Sequence, residues 1–138
     1  MGYTKHKSEE SMEDYLETIL ELSKKLPVVR SIDIANELEY KKSSVSVAMK
    51  NLRELDYITM EPSGYIYLTE SGLKRAEEVL EKHTLFTEWL VSLGVDPKIA
   101  RMDACRMEHD ISTESFMAIK TFISSLVCAI VYTLVKLI

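Results

Sequence analysis

In the segment DACRMEHDIS, residues 103–112, a thiol, a carboxylate and an imidazole fall within five consecutive positions. The chain has only two cysteines and three histidines, so their crowding calls for a reason. In a helix Cys105, Glu108 and His109 stand at i, i+3 and i+4 and share one face. A soft sulfur, an imidazole nitrogen and a hard oxygen on one face make half of a divalent-metal site. The competing reading is a small buried cysteine beside a solvated Glu–His pair.

Further donors lie on other helices. Asp14 and Glu17 sit one turn apart at the rim of an apolar stripe, and acids there are costly unless something cationic meets them. His83 falls on or near the face formed by Leu73, Ala76, Leu80 and Leu90, which turns it inward among apolar neighbours. A lone histidine in that place is usually a satisfied core residue. Together, however, Asp14, Glu17, His83, Cys105, Glu108 and His109 are six donors from three helices, able to converge on one or two divalent ions. Such a site is coupled to folding, because it joins helices far apart in sequence.

The elements that must position these groups are legible from periodicity and punctuation. Met12, Tyr15, Leu16, Ile19, Leu22 and Leu26 give a helix over residues 9–26, ended by Pro27. Ser31 can cap a short helix through Leu38, and Ser43 or Ser44 can cap another to about Leu55, with Val45, Ala48, Met49, Leu52 and Leu55 in one stripe. YITMEPSGYIYLT then reads as a hairpin in which Ile58 and Met60 face Ile66 and Leu68. A long helix spans residues 70–92, capped by Thr69 or Ser71 and stopped by Gly94. Asp96 and Pro97 open the helix that carries the Cys–Glu–His triplet.

Helix, helix, turn, helix and hairpin is the order of a winged helix-turn-helix. The expected fold is therefore mainly α: a DNA-binding domain over residues 1–70 with a small β-hairpin wing, then an all-helical domain over residues 71–138. In the motif the second helix of the pair enters the major groove. Its exposed face here would present Lys41, Lys42, Ser43, Ser44, Ser46, Lys50 and Arg53, with cations for phosphates and short hydroxyls for phosphates or base edges.

Composition sets bounds on this reading. The 138 residues suit one domain or two small ones, and 46% hydrophobic with 28% charged residues is ordinary for a soluble protein. The opening MGYTKHKSEE lacks the apolar stretch of a secretion signal, and two cysteines make no disulfide framework, so a cytoplasmic location is expected. The net charge of −5 argues weakly against nucleic acid, but the charge is polarised. Residues 9–21 carry six acids and no base, whereas residues 41–53 carry four bases and no acid. At the other end, Thr121–Val135 carries no charge and is shorter than the roughly 20 apolar residues of a membrane span. A helix buried in a subunit interface is the favoured reading of that tail, with membrane contact the less favoured one.

SMEDYLETI, the winged helix, KHTLFTEWL and DACRMEHDIS, in that order, resemble the diphtheria toxin repressor family, which includes the manganese transport regulators. The resemblance covers about residues 9–120 and implies a homodimeric, metal-activated repressor of uptake genes that binds a two-fold DNA operator. It implies Fe(II) or Mn(II) as cofactor, one or two ions per subunit, and places Asp14, Glu17, His83, Cys105, Glu108 and His109 where the family has its metal ligands. Manganese-type members usually have a carboxylate in place of Cys105, and iron-type members tend to have methionine in place of Asp14. Arg101 and Thr87 stand where iron-type members have the histidine and glutamate of an ancillary site, and Arg101 cannot bind a cation. The tail after Ser124 follows no family pattern.

Cys105 tilts the donor set toward Fe(II), while Asp14 and Glu17 keep it hospitable to Mn(II). The chain offers no nucleophile elbow, phosphate loop or H-E-x-x-H motif, so neither an enzyme nor a small-molecule substrate is expected. The alternative is a metal-independent winged-helix regulator with Cys105 as a thiol sensor or the tail as a membrane-associating segment.

Overall fold

The computed structural model describes the backbone from Tyr3 to Ile138 and side chains from residue 11 onward. Glu9 and Glu10 of the acidic run thus have side chains outside the described residues. The elements follow in the order α1 (Tyr3–Lys25), α2 (Ser31–Leu38), α3 (Lys42–Glu54), β1 (Ile58–Met60), β2 (Ile66–Leu68), α4 (Glu70–Ser92), α5 (Pro97–Asp110) and α6 (Thr113–Leu137). The chain divides into two compact units, Met1–Leu80 and Glu81–Ile138, and the division falls inside α4.

The first unit is built around the apolar stripe of α1. Leu16 and Ile19 are fully buried together with Ile34 of α2, Val45, Met49 and Leu52 of α3, and Ile58 and Ile66 of the hairpin. Burying side chains of this size contributes on the order of 1.5–3 kcal/mol each, which is what holds three helices and two three-residue strands together. The strands pair antiparallel in the register Ile58↔Leu68, Thr59↔Tyr67 and Met60↔Ile66, the alternation read from the sequence. Their connection is a turn closed by Gly64 N–H donating to the Glu61 carbonyl at 2.8 Å, with Gly64 at φ +88°. That left-handed glycine lets a type I turn feed a hairpin without splaying its strands.

Several local expectations need correction. Ser31, Ser43 and Ser44 are not caps: α2 is capped by Arg30 and α3 by Lys41, neither through its side chain, and the serines lie inside the first turns. At α2 the reciprocal bond comes from Asp33, whose carboxylate accepts the Arg30 N–H at 2.8 Å. Leu55 is 57% exposed because it follows the last turn of α3 and leaves the stripe. Leu73 is also exposed; the buried face of α4 runs through Gly72, Ala76, Val79 and Phe86 instead. Thr69 is the cap of α4, accepting the Gly72 N–H at 3.1 Å.

Gly72 is fixed by close approach. A Cβ at this position would stand 1.9 Å from the Tyr57 carbonyl oxygen, so α4 can start where it does only on a bare backbone.

In the second unit Phe86, Ala104 and Phe116 form the core, with Phe86 and Phe116 edge to face at 5.8 Å. Gly94 ends α4 at φ +97°, and Asp96 caps α5 by accepting the Lys98 and Ile99 N–H groups, both as the sequence suggests. Ser112 caps α6, and Lys120 pairs with Glu81 across to α4. Beyond Ile123 every residue of α6 is exposed. Among the described residues α6 is the one helix long and apolar enough to cross a membrane, with mean hydropathy 1.9.

Candidate metal centre and nucleic-acid interface

In the second unit α4 and α5 bring three chemically different donors together. His83 comes from the lower half of α4, and Cys105 and Glu108 from successive turns of α5. The His83 Nδ1 lies 2.9 Å from Glu108 Oε2 and 3.6 Å from Cys105 Sγ, and the three donor atoms lie within 4.8 Å of one another. Bond lengths of about 2.0–2.3 Å to nitrogen, oxygen and sulfur put ligands of one ion roughly 3–4 Å apart. The donor set therefore fits a divalent transition-metal ion in both spacing and chemistry. His109 Nε2 lies 3.3 Å from the other Glu108 oxygen, Oε1. The Glu108 carboxylate is fully buried and faces an imidazole on either side.

A buried carboxylate is tolerated only where cationic or donor groups meet it. The arrangement acts on His83 in turn. Its pKa is pushed up to about 10, first by the hydrogen bond to Cys105 and then by that to Glu108, with partial burial opposing both. The expectation that His83 would be surrounded by apolar side chains needs revision: its ring is half-buried against a thiol and a carboxylate. The sequence signal that could have shown this is the pairing itself, since a 3.6-residue period says which face a side chain takes but not what meets it.

Asp14 and Glu17 belong to the first unit, both half-buried on α1 beside Tyr15 and Leu16. Thr18, itself buried, donates its hydroxyl to the Asp14 carbonyl at 2.8 Å. Thr87 donates its hydroxyl to the His83 carbonyl at 2.8 Å, and Arg101 is exposed.

The other candidate surface is α3. Lys41, Lys42, Ser43, Ser44, Ser46, Lys50 and Arg53 are all exposed, while Val45, Met49 and Leu52 face the core. Two more exposed residues share that face and were not singled out from the sequence: Val47, 61% exposed, and Asn51. Val47 follows Ser43 by four positions, so helical spacing alone could have found it.

Comparison with known proteins matches a different domain to each half of the chain. Residues 7–65 match the N-terminal DNA-binding domain of the iron-dependent repressors, and residues 69–127 match their metal-binding and dimerisation domain. The chain belongs to this family. Its members, among them the diphtheria toxin repressor and the manganese transport regulators, are metal-dependent, DNA-binding transcriptional regulators and not enzymes. The chain is 36% identical over 113 residues to the transcriptional regulator MntR of Escherichia coli, covering 82% of this chain and 73% of that one. It is 37% identical over 115 residues to an uncharacterized helix-turn-helix regulator of Methanocaldococcus jannaschii, covering 82% and 92%. Among solved structures it resembles the manganese regulator SloR, with a TM-score of 0.73 at 25% identity over 82% of this chain. It spans about half (53%) of the length of that protein. The matched metal-binding and dimerisation domain ends at residue 127, part-way along α6.

Proposed function

We propose that the chain is a cytoplasmic, homodimeric repressor of iron or manganese uptake genes, activated by the metal it helps to regulate. In this reading Asp14 and Glu17 of the first unit complete a ligand set with His83, Cys105, Glu108 and His109 of the second, holding one or two ions per subunit. The observation that carries it is the nitrogen, sulfur and oxygen triad of His83, Cys105 and Glu108 within 4.8 Å. A bound cation supplies the positive charge that offsets the gathering of several carboxylates, and through it the ligand-bearing helices α1, α4 and α5 fix the recognition helices of the dimer. Two-fold DNA sites demand a recognition-helix spacing of roughly 34 Å or a multiple. To turn a rare binding-competent arrangement into the dominant one takes about 5 kcal/mol of preference. Several charged ligands are the right order of chemistry for that.

On α3 the cations Lys41, Lys42, Lys50 and Arg53 serve phosphates, and Ser43, Ser44 and Ser46 serve phosphates or base edges. Val47 suits the methyl group of a thymine. The thiol of Cys105 favours Fe(II) over Mn(II).

The test is anaerobic DNA binding to the duplex upstream of the protein's own coding region, titrated with Fe(II), Mn(II) and chelator at fixed salt. Activation by either ion supports the reading, and the lower midpoint names the metal. Equal affinity with and without chelator sinks it in favour of a metal-independent regulator. The exposed thiol of Cys105 would then be the candidate sensor, and the exposed apolar half of α6 the candidate membrane-associating segment.

A further inference from the structure

The wing hairpin of this protein is poor in cations. From Ile58 to Leu68 its one charged residue is Glu61, an unfavourable charge for an element that lies beside a phosphate backbone. Two features offset it. The Glu61 carboxylate is turned onto its own turn, where it accepts the Ser63 hydroxyl at 3.3 Å. Across the hairpin, the guanidinium of Arg30 lies 4.8 Å above the ring of Tyr65, and its Nη2 donates to the Tyr65 hydroxyl at 3.2 Å.

Arg30 is held there by backbone as well. The Val29 carbonyl accepts the Ile66 N–H at 2.8 Å, which ties the residue before Arg30 to β2 as an isolated bridge. The Arg30 N–H is spent on Asp33, so the nearest acid on α2 is occupied by backbone at 2.8 Å. An arginine stacked on a ring carries less hydration and less rotamer freedom than one in open solvent, so it loses less on meeting an anion. The guanidinium has five N–H donors, and Tyr65 takes one among the described residues. Arg30 is exposed.

We propose that Arg30, pre-oriented on Tyr65, is the phosphate clamp of the wing, gripping the DNA backbone that flanks the groove occupied by α3. The occupant is a backbone phosphate and not a base edge, because a guanidinium held against the hairpin by Tyr65 is not extended toward a groove floor. The inference rests on the DNA-binding reading of the first unit and adds to it a contact outside α3.

The test measures affinity of the full chain, anaerobically with Fe(II) and in parallel with Mn(II), for a labelled duplex of its own upstream region and for a duplex of scrambled sequence, across a salt series. Arg30→Ala keeps the backbone groups that start α2, so the fold is retained. It is expected to weaken binding to both duplexes by the same factor and to lower the slope of log affinity against log salt by about one. Equivalently, its deficit shrinks about threefold between ~50 and ~200 mM salt. Arg30→Lys restores the slope, while Tyr65→Leu keeps the slope and loses affinity. An unchanged slope in Arg30→Ala, a loss confined to one duplex, or Arg30→Lys behaving as Arg30→Ala overturns the clamp. In those cases wild-type binding persists and the DNA-binding reading stands; absence of wild-type binding to either duplex overturns both.

Discussion

The Nδ1 of His83 lies 2.9 Å from Oε2 of Glu108, a carboxylate with no solvent exposure. Two residues 25 positions apart thus form one half of a donor set whose third member, Cys105, is 3.6 Å from the same nitrogen. The chemistry of this pair and its sulfur neighbour governs the first two predictions.

Replacing sulfur by oxygen should change the preferred ion. Cys105→Asp is expected to move the affinity order toward Mn(II), because a carboxylate is harder than a thiolate. Competition against a fluorescent chelator reads the shift. The wild-type protein loaded with Co(II) should show a sulfur-to-metal charge-transfer band that the variant lacks, and a wild type without that band would place Cys105 outside the site.

Metal uptake should release a proton from His83. Its pKa is raised to about 10 in the folded protein, so near neutral pH the ring is protonated, whereas a ligand imidazole must be neutral. Apparent affinity should therefore climb by about one log unit per pH unit between pH 7 and 9 from this group alone. The sign for the metal-free protein is opposite. A raised folded-state pKa contributes stability that is complete below about 6.5 and disappears as pH rises through about 10. Calorimetry in buffers of different ionisation enthalpy counts the proton, and a count of zero contradicts the assignment.

Asp14→Ala should separate folding from response. The side chain is half-buried and lies outside the apolar core, so the melting temperature of the metal-free protein should move by only a few degrees. Metal-dependent operator binding should be lost. A variant that still responds to Fe(II) or Mn(II) would remove α1 from the proposed ligand set.

Gly72→Ala should be among the most damaging single-methyl additions in the chain. The new Cβ would meet the Tyr57 carbonyl at 1.9 Å, and backbone on both sides leaves little to yield. Overpacking of this kind costs about 1–3 kcal/mol. Thermal denaturation measures it, and a shift within error would mean that α4 can slide away from the hairpin.

Much of this was legible in the residues. Alternation fixed the hairpin register, Asp96–Pro97 marked the start of α5, and the period of α3 separated the core side from the basic side. What failed has physical causes. Hydroxyl residues favour both the cap and the first turn of a helix, so Ser31, Ser43 and Ser44 were placed one to three positions too far out. The α4 stripe was read from Leu73 when its true first member, Gly72, has no side chain to announce it, and Val79 and Phe86 were lost with it. For the candidate site, spacing put Cys105 and Glu108 on one face, but only tertiary packing could set His83 against them. Along α6, Thr121, Ser125 and Thr133 each donate to the carbonyl four residues back, as Thr18 does on α1 and Thr87 on α4.

The nitrogen, sulfur and buried oxygen of the triad all come from residues 81–138. Under the proposed ligand set, the soft donor on α5 and the hard donors on α1 pull the preferred ion in opposite directions. Which element is heard is then decided at both ends of the chain, and a lineage moving between iron-rich and manganese-rich habitats could retune its choice through Cys105, Asp14 or Glu17.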